Sequence, residues 1–316
     1  MNHYLHFVRV DENKCMGRMK CMRVCPTQAI RVRGGKAKID DEKCIDCGEC
    51  IKVCPNKAIV PLTNSFTEFS QFEYVVAVPS PVLYTQFSRD VTPTDILDGL
   101  KEIIFNDAVD ITPSCESVSI AIKEYLGDNP KKRPIISSFC PTVIRLIQVK
   151  YPDLTELLLP IDSPMEISAR DLKLQISAEK KIEEEKIGAI YITPCPSKIS
   201  AIRHHPRKRM SYLDGAISIR DIYNSLLSVL SKSGRKKIGE HEKLKYGAGL
   251  TWAILGGQTK FLKAENSISV GGIRHVIHIL DDIENGKIMI DNKTFSFPKL
   301  PDEILAIREA GGLLNH

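Results

Sequence analysis

Seven of the chain's ten cysteines fall between residues 15 and 54, in a segment that repeats with an offset of 29 residues. Asp11 maps onto Asp40, Lys14 onto Lys43, Cys15 onto Cys44, Cys21 onto Cys50, Cys25 onto Cys54 and Pro26 onto Pro55. The pair Ala29-Ile30 maps onto Ala58-Ile59. The second copy reads Cys44-x2-Cys47-x2-Cys50-x3-Cys54-Pro55, which is the bacterial four-iron spacing. Three closely spaced thiolates wrap a cubane from one loop, while the more distant fourth points to another cluster. Zinc ribbons do not usually carry this triple followed by Cys-Pro. The first copy departs at one place, with Arg18 where the second has Cys47. A guanidinium stays protonated and is a poor ligand, so the first site has three thiolates. That leaves open a three-iron cluster, a four-iron cluster with an exogenous or labile fourth ligand, or no cluster. The retained spacing of Cys15 and Cys21 argues against simple decay.

The repeat resembles the bacterial two-cluster ferredoxins. The resemblance implies an α+β ferredoxin-like domain over residues 1–62 with crossed ligation. Cys44, Cys47, Cys50 and Cys25 would hold one cluster, and Cys15, Cys21 and Cys54 the other. The expected cofactors are two iron–sulfur clusters, one 4Fe-4S and one 4Fe-4S or 3Fe-4S, serving one-electron transfer to redox protein partners. Residues 1–60 hold 12 Lys/Arg against 7 Asp/Glu, so the whole net charge of +5 sits in this domain. Thiolate-ligated clusters are anionic, and such a surplus offsets them and can guide acidic partners.

The remaining composition is that of a globular chain: 316 residues, 43% hydrophobic and 26% charged. No apolar run approaches the roughly 20 residues of a membrane span. The opening Met-Asn-His-Tyr-Leu-His lacks the layout of a secretory signal. A cytoplasmic protein is expected, in which cysteines serve metal rather than disulfides. The basic run Arg203 to Arg209 comes without a nucleic-acid fold signature, so no nucleic-acid partner is expected.

Beyond a linker at 66–74, short apolar strands alternate with helices. Strands are expected at 74–78, 108–112, 134–137 and 188–192. Helices are expected at 94–104, 117–126, 142–150, 163–186, 219–231 and 272–286, the fourth opened by a capping box, Ser163-Pro164-Met165-Glu166. This alternation predicts an α/β domain with mostly parallel sheets. Cys140 and Cys195 each follow an expected strand and open a helix, where α/β sheets build their ligand crevices. Both also fit a bland role as small buried hydrophobes. Cys115 reads as structural.

Three segments carry a second resemblance: Ile136-Ser-Ser-Phe-Cys140-Pro-Thr-Val-Ile-Arg-Leu-Ile, Asp162-Ser-Pro-Met165 and Thr193-Pro-Cys195-Pro-Ser-Lys198. They resemble the large-subunit domain of iron-only hydrogenases, most closely its divergent branch linked to sensing, over residues 74–287. In that family the residues matching Cys140 and Cys195 ligate the cubane of the active-site cluster, and the one matching Lys198 contacts a ligand of the two-iron unit. The family's third motif supplies two further cysteines, one bridging to the two-iron unit. Here the tail, 288–316, holds none, and no cysteine follows Cys195. Phe139 stands where catalytic members place a proton-relaying cysteine, and Thr193 replaces a common methionine. The resemblance therefore implies an electron-transfer or redox-sensing protein without a complete hydrogenase active-site cluster. Alternatives are a hydrogenase completed by a partner chain or truncated here, and a scaffold for hydrogenase or maturation partners.

Overall fold

The computed structural model describes residues 6–88, 90–130, 134–204, 210–232, 248–263, 266–290 and 293–296. In the N-terminal domain β1 (Val8–Val10) pairs antiparallel with β4 (Ile59–Pro61), and β2 (Ile30–Arg33) with β3 (Lys36–Ile39). Each copy of the repeat gives one strand to each pair. Val10 opposes Ile59 and Ile39 opposes Ile30, positions related by the 29-residue offset. Helices α1 (Lys20–Val24) and α2 (Glu49–Val53) obey the same offset. So does the backbone: Gly17 and Asp46, Met19 and Gly48, Gln28 and Lys57 are offset pairs, and all six residues have positive φ. A non-glycine residue held there costs roughly 1–2 kcal/mol, and it persists only where its surroundings over-determine it. The cysteine loops are those surroundings.

A 3₁₀ turn, Phe66–Gln71, leads into the second domain. Its four-stranded parallel sheet has the order β6-β5-β7-β8, from β5 (Tyr74–Pro79), β6 (Asp107–Ala108), β7 (Ile187–Thr193) and β8 (Gly215–Ser218). Side chains alternate between two covered faces. Val75, Ala77, Ile190, Ile192 and Ile217 pack on α3 (Pro93–Lys101) and α8 (Ile219–Lys232). Val76, Val78, Ala189, Tyr191 and Ala216 pack on α4 (Thr112–Asp128), α6 (Pro164–Lys180) and α7 (Pro196–Arg203). Burial on both faces explains why all seven residues of β7 are buried. A third core joins α5 (Pro141–Lys150) to α10 (Ile273–Glu284) and β9 (Lys287–Ile290), through Ile144, Ile147, Tyr151, Ile273, Leu280, Ile283 and Ile288. The short α9 (Gly257–Leu262) and β10 (Lys293–Ser296), paired antiparallel with β9, complete the described α-helices and strands.

The architecture is the expected one, an α+β domain followed by an α/β domain, but local expectations fail in instructive places. The segment 134–137 is not a sheet strand; it makes one parallel bridge, Ile136 to Leu158. The strand expected at 108–112 stops at Ala108, because α4 begins at Thr112 and takes in Cys115. Ser163 forms no capping box: its Oγ is buried without a hydrogen bond, and the Glu166 carboxylate accepts instead from Ser211 Oγ (2.6 Å) and the Tyr212 N–H (2.9 Å). Helix α6 ends at Lys180 rather than 186, since Lys181 turns left-handed (φ 58°) and lets Ile182 pack into the core. The 66–74 linker contains a capped turn, with Ser65 and Glu68 forming the box. Residues 205–209 of the basic run, and the tail outside 288–290 and 293–296, lie outside the described residues.

Candidate iron–sulfur sites and the adjoining crevice

Two cavities open in the N-terminal domain. Cys15, Cys21 and Cys54 line the first together with Arg18; Cys25, Cys44, Cys47 and Cys50 line the second. Each cavity thus gathers the leading cysteines of one copy and the last cysteine of the other. All seven thiols are free of disulfides. Backbone N–H groups point at three of them: Ala29 to Cys25 Sγ (3.2 Å), Ala58 to Cys54 Sγ (3.3 Å) and Ala37 to Cys15 Sγ (3.3 Å). The first two bonds are copies of each other under the repeat. Apolar walls, clustered soft donors and N–H groups aimed at sulfur suit an iron–sulfur cluster, which when bound exchanges one electron at a time.

Burial, the dominant cause, pushes the thiol of Cys47 up to about 11 and that of Cys50 up to about 12. It drives Cys44 higher still and also raises Cys21. These thiols are protonated at neutral pH without metal, and iron binding would release their protons. His6 and Asp46 carry donor atoms within 4.8 Å of Cys44 Sγ. Asp46 is already engaged, accepting from the Phe7 N–H (3.0 Å) and from Ser200 Oγ (2.6 Å).

The two cavities differ in their surroundings. Around the first, Met16, Arg18, Met19 and Lys20 are exposed. The second is covered by the α/β domain. Ile45 and Cys47 pack against Ile144 and Ile147 of α5, and Arg145 Nη2 donates to the Glu42 carbonyl (3.0 Å). At Gly48 a Cβ would lie 3.3 Å from Pro196 Cγ, the first residue of α7, and φ there is +76°. Glycine fits on both counts.

Cys140 and Cys195 are the N-cap residues of α5 and α7, with nearly the same extended backbone (φ −106°, ψ 106° and φ −103°, ψ 115°), and each precedes a proline at the first helical position. The structure brings both thiols into the field of Lys198. Cys140 is accessible to water but surrounded by enough protein that burial, the largest influence, raises its thiol; Cys195 adds to the rise and Lys198 opposes it. Burial likewise opposes the charge of Lys198, yet Tyr191 and the two cysteines outweigh it and leave its pKa raised. Lys198 Nζ donates to Tyr191 Oη at 3.2 Å. Cys195 Sγ lies 3.1 Å from Ser197 Oγ, and its N–H donates to Thr193 Oγ1 (3.2 Å). Phe139 packs on Trp252, ring centroids 5.1 Å apart.

Cys115, read from the sequence as structural, lies in the apolar core of α4 and α6, and burial pushes its thiol up to about 12. Sequence reasoning missed Asp46 and Ser200, whose bond spans 154 residues of sequence. Only the repeat offset of Asp46 onto Gly17, a glycine that needs φ +62°, hinted that position 46 is special.

Residues 73–260 match the iron only hydrogenase large subunit, C-terminal domain, and residues 7–55 match the 4Fe-4S dicluster domain. The first match spans more than half of the chain, which therefore belongs to the iron-only hydrogenase large-subunit family. It is a divergent member with an N-terminal 4Fe-4S ferredoxin-type domain, an iron–sulfur protein by family. Among solved structures it is similar to an FeFe-hydrogenase studied for oxygen inactivation through its H cluster 2Fe subcluster (17% identity, TM-score 0.45, covering 59% of this chain and 56% of that one). It is similar also to apo FeFe-hydrogenase HydA1 from Chlamydomonas reinhardtii (17%, 0.45, 59% and 53%) and to HydA(deltaEFG), studied for stepwise H-cluster assembly (18%, 0.44, 60% and 54%). The chain accounts for little more than half the length of these structures. No curated protein matches it. Among the described residues, no helix is long and apolar enough to cross a membrane.

Proposed function

We propose that the chain is a one-electron carrier or redox sensor that moves electrons between a cluster at its surface and the crevice of Cys140, Cys195 and Lys198. Cys25, Cys44, Cys47 and Cys50 hold a 4Fe-4S cluster; Cys15, Cys21 and Cys54 hold a second, of 4Fe-4S or 3Fe-4S type. The observation that carries this reading is the partition of seven thiols into two cavities along the crossed pattern of the repeat. The packing of the second cavity against the starts of α5 and α7 supports a route from that cluster toward Cys140 and Cys195.

The crevice does not fit the family's active-site cluster within these 316 residues. It offers Cys140 and Cys195 where the family uses four thiolates, and no cysteine follows Cys195. Electron exchange with acidic redox proteins suits the basic first domain.

The test is anaerobic purification with iron and sulfide analysis and a potentiometric titration followed by EPR. Roughly seven or eight irons with matching sulfide, in two one-electron couples, are expected. Finding zinc alone, or no chromophore, would overturn the reading.

A further inference from the structure

The repeat contains its own control, because the same loop is built twice and differs at the fourth ligand. In the second cavity that position is Cys47, packed under α5. In the first it is Arg18, exposed and in the cavity wall. We propose that the first cavity is an oxyanion-binding site, in which an iron lacking a protein ligand takes a small carboxylate or inorganic phosphate held against the Arg18 guanidinium. This rests on the two-cluster reading above and adds the ligand class to it.

The wall contains neither a carboxylate nor a histidine, so it offers no anionic substitute for the missing thiolate. Beyond the three cysteines its polar side chains are Arg18, Lys20 and Asn56. Asn56 Nδ2 is spent on the Lys14 carbonyl (3.2 Å). The thioethers of Met16 and Met19 are neutral and leave the local charge unmet. That charge is considerable: exchanging a thiolate for a guanidinium removes one negative charge and adds one positive, and Lys20 stands beside it. A carboxylate on the open iron returns one of those two units of charge, and a phosphate dianion returns both.

Arg18 is free to bind. It has no hydrogen bond or ion pair among the described residues. Its planar fork presents paired N–H donors that match carboxylate and phosphate oxygens, which an ammonium does not. The loop that carries it is fixed beforehand, since Gly17 holds φ +62° with its Cβ position only 2.6 Å from the Gly35 carbonyl oxygen. Met16, Arg18 and Met19 are open to water, so a small solute reaches the cavity.

The experiment uses the full chain, loaded anaerobically with ⁵⁷Fe and studied by Mössbauer spectroscopy and by EPR after photoreduction. Acetate and inorganic phosphate are titrated separately. The expected result is one iron of the first cluster with non-thiolate parameters, whose signal shifts saturably with either anion while the second cluster's signal stays fixed. A response to acetate alone points to carboxylates, and to phosphate alone to phosphorylated small molecules; both support an oxyanion site. Arg18→Gln keeps the open iron but weakens the anion by about tenfold or more, ~1.4 kcal/mol. Arg18→Lys falls between, and Arg18→Cys abolishes the response. No shift with either anion, equal affinity in Arg18→Gln, or a three-iron first cluster that takes up no fourth iron overturns the proposal. These results leave the two-cluster reading standing, whereas absence of iron altogether removes both.

Discussion

Asp46 Oδ2 accepts a hydrogen bond from Ser200 Oγ at 2.6 Å, and this contact ties the second cysteine loop to α7, the helix capped by Cys195. Both partners are almost fully buried, and Asp46 holds φ 49° to make the contact. Its other oxygen takes the Phe7 N–H. One carboxylate therefore fixes the start of the chain, the cysteine loop and the α/β domain against each other.

Removing that carboxylate leaves the partly buried Phe7 N–H without its acceptor, at a cost of about 1–3 kcal/mol, and leaves the Ser200 hydroxyl only its longer bond to the Pro196 carbonyl (3.2 Å). Asp46→Ala is expected to lower unfolding stability by about 1–3 kcal/mol. In a double-mutant cycle with Ser200→Ala the two losses fall short of additivity by at least ~0.5 kcal/mol. The measurement is anaerobic denaturant unfolding of the iron-loaded protein. Strict additivity would mean that the bond contributes nothing to domain docking.

The crossed arrangement of thiols separates sequence position from cluster membership. Cys25→Ser is expected to weaken the same cluster as Cys47→Ser, although Cys25 lies in the other copy. Cys21→Ser and Cys54→Ser are expected to act together on the first. Iron content and EPR of the four variants test this. If Cys25→Ser and Cys21→Ser lose the same signal, ligation is not crossed.

Legibility in the sequence followed the physics of each element. The cysteine repeat was readable because metal ligation fixes spacing rigidly, and 29 residues later the loop, its caps and its strand register all return. Strand β7 was readable because burial on both faces demands an unbroken apolar run. The start of α4 was not, because Thr112-Pro113 has the look of a turn while proline is equally at home in a first helical turn. Nor was the loss of the Ser163 box, since Glu166 is drawn away by Ser211 and Tyr212, which no local window contains. The crevice was half readable: Cys140, Cys195 and Lys198 came from motif resemblance, while the Tyr191 hydroxyl that meets Lys198 comes from β7 only through the fold.

Met19 and Gly48 occupy equivalent N-cap positions, both left-handed (φ 56° and 76°). Relief of the left-handed cost, roughly 1–2 kcal/mol, exceeds the roughly 0.5–1 kcal/mol that glycine adds in chain entropy. Met19→Gly is therefore expected to be neutral to mildly stabilising. Gly48→Ala is expected to destabilise by about 1–2 kcal/mol, because it meets both the backbone strain and Pro196. Thermal midpoints of the iron-loaded variants decide this, and a stabilised Gly48→Ala would contradict the crowding against α7.

Asp214 pairs with Lys173 at 2.7 Å and accepts the Ala189 N–H, also at 2.7 Å. Burial, the largest influence, still raises its pKa above the ordinary 3.8, against the pull of Lys173. A carboxyl whose pKa is raised on folding binds more protons folded than unfolded just above pH 3.8. Its contribution is thus fully present below that pH and lost as pH rises through the folded value. The stability of the parent relative to Asp214→Asn is expected to fall as pH rises through that acidic window. Asp214→Ala at neutral pH strands Lys173 in the core and is expected to cost about 3 kcal/mol. A parent-to-Asn difference that instead grows with pH in that window would reverse the assigned direction.

Hydrogen chemistry is the most exposed consequence. These 316 residues alone, even with the family's maturation machinery supplied, are expected to produce or consume negligible hydrogen. Cys140 and Cys195 are two thiolates where four anchor the family's cluster, and no third motif follows them to bridge a two-iron unit. By the resemblance Phe139 stands at the proton-relaying position, and its ring, packed against Trp252 at 5.1 Å, carries no exchangeable proton. Loss of general acid–base assistance alone costs roughly 10²–10⁴ in rate, and loss of the metal anchor removes the reacting centre itself. The check is an anaerobic assay with reduced viologen after co-expression with the maturases, run beside Cys140→Ala. Background rates equal in both are expected. Robust hydrogen production that disappears in Cys140→Ala would mean that a donor other than cysteine completes the site, with Lys198 the first side chain to replace in finding it.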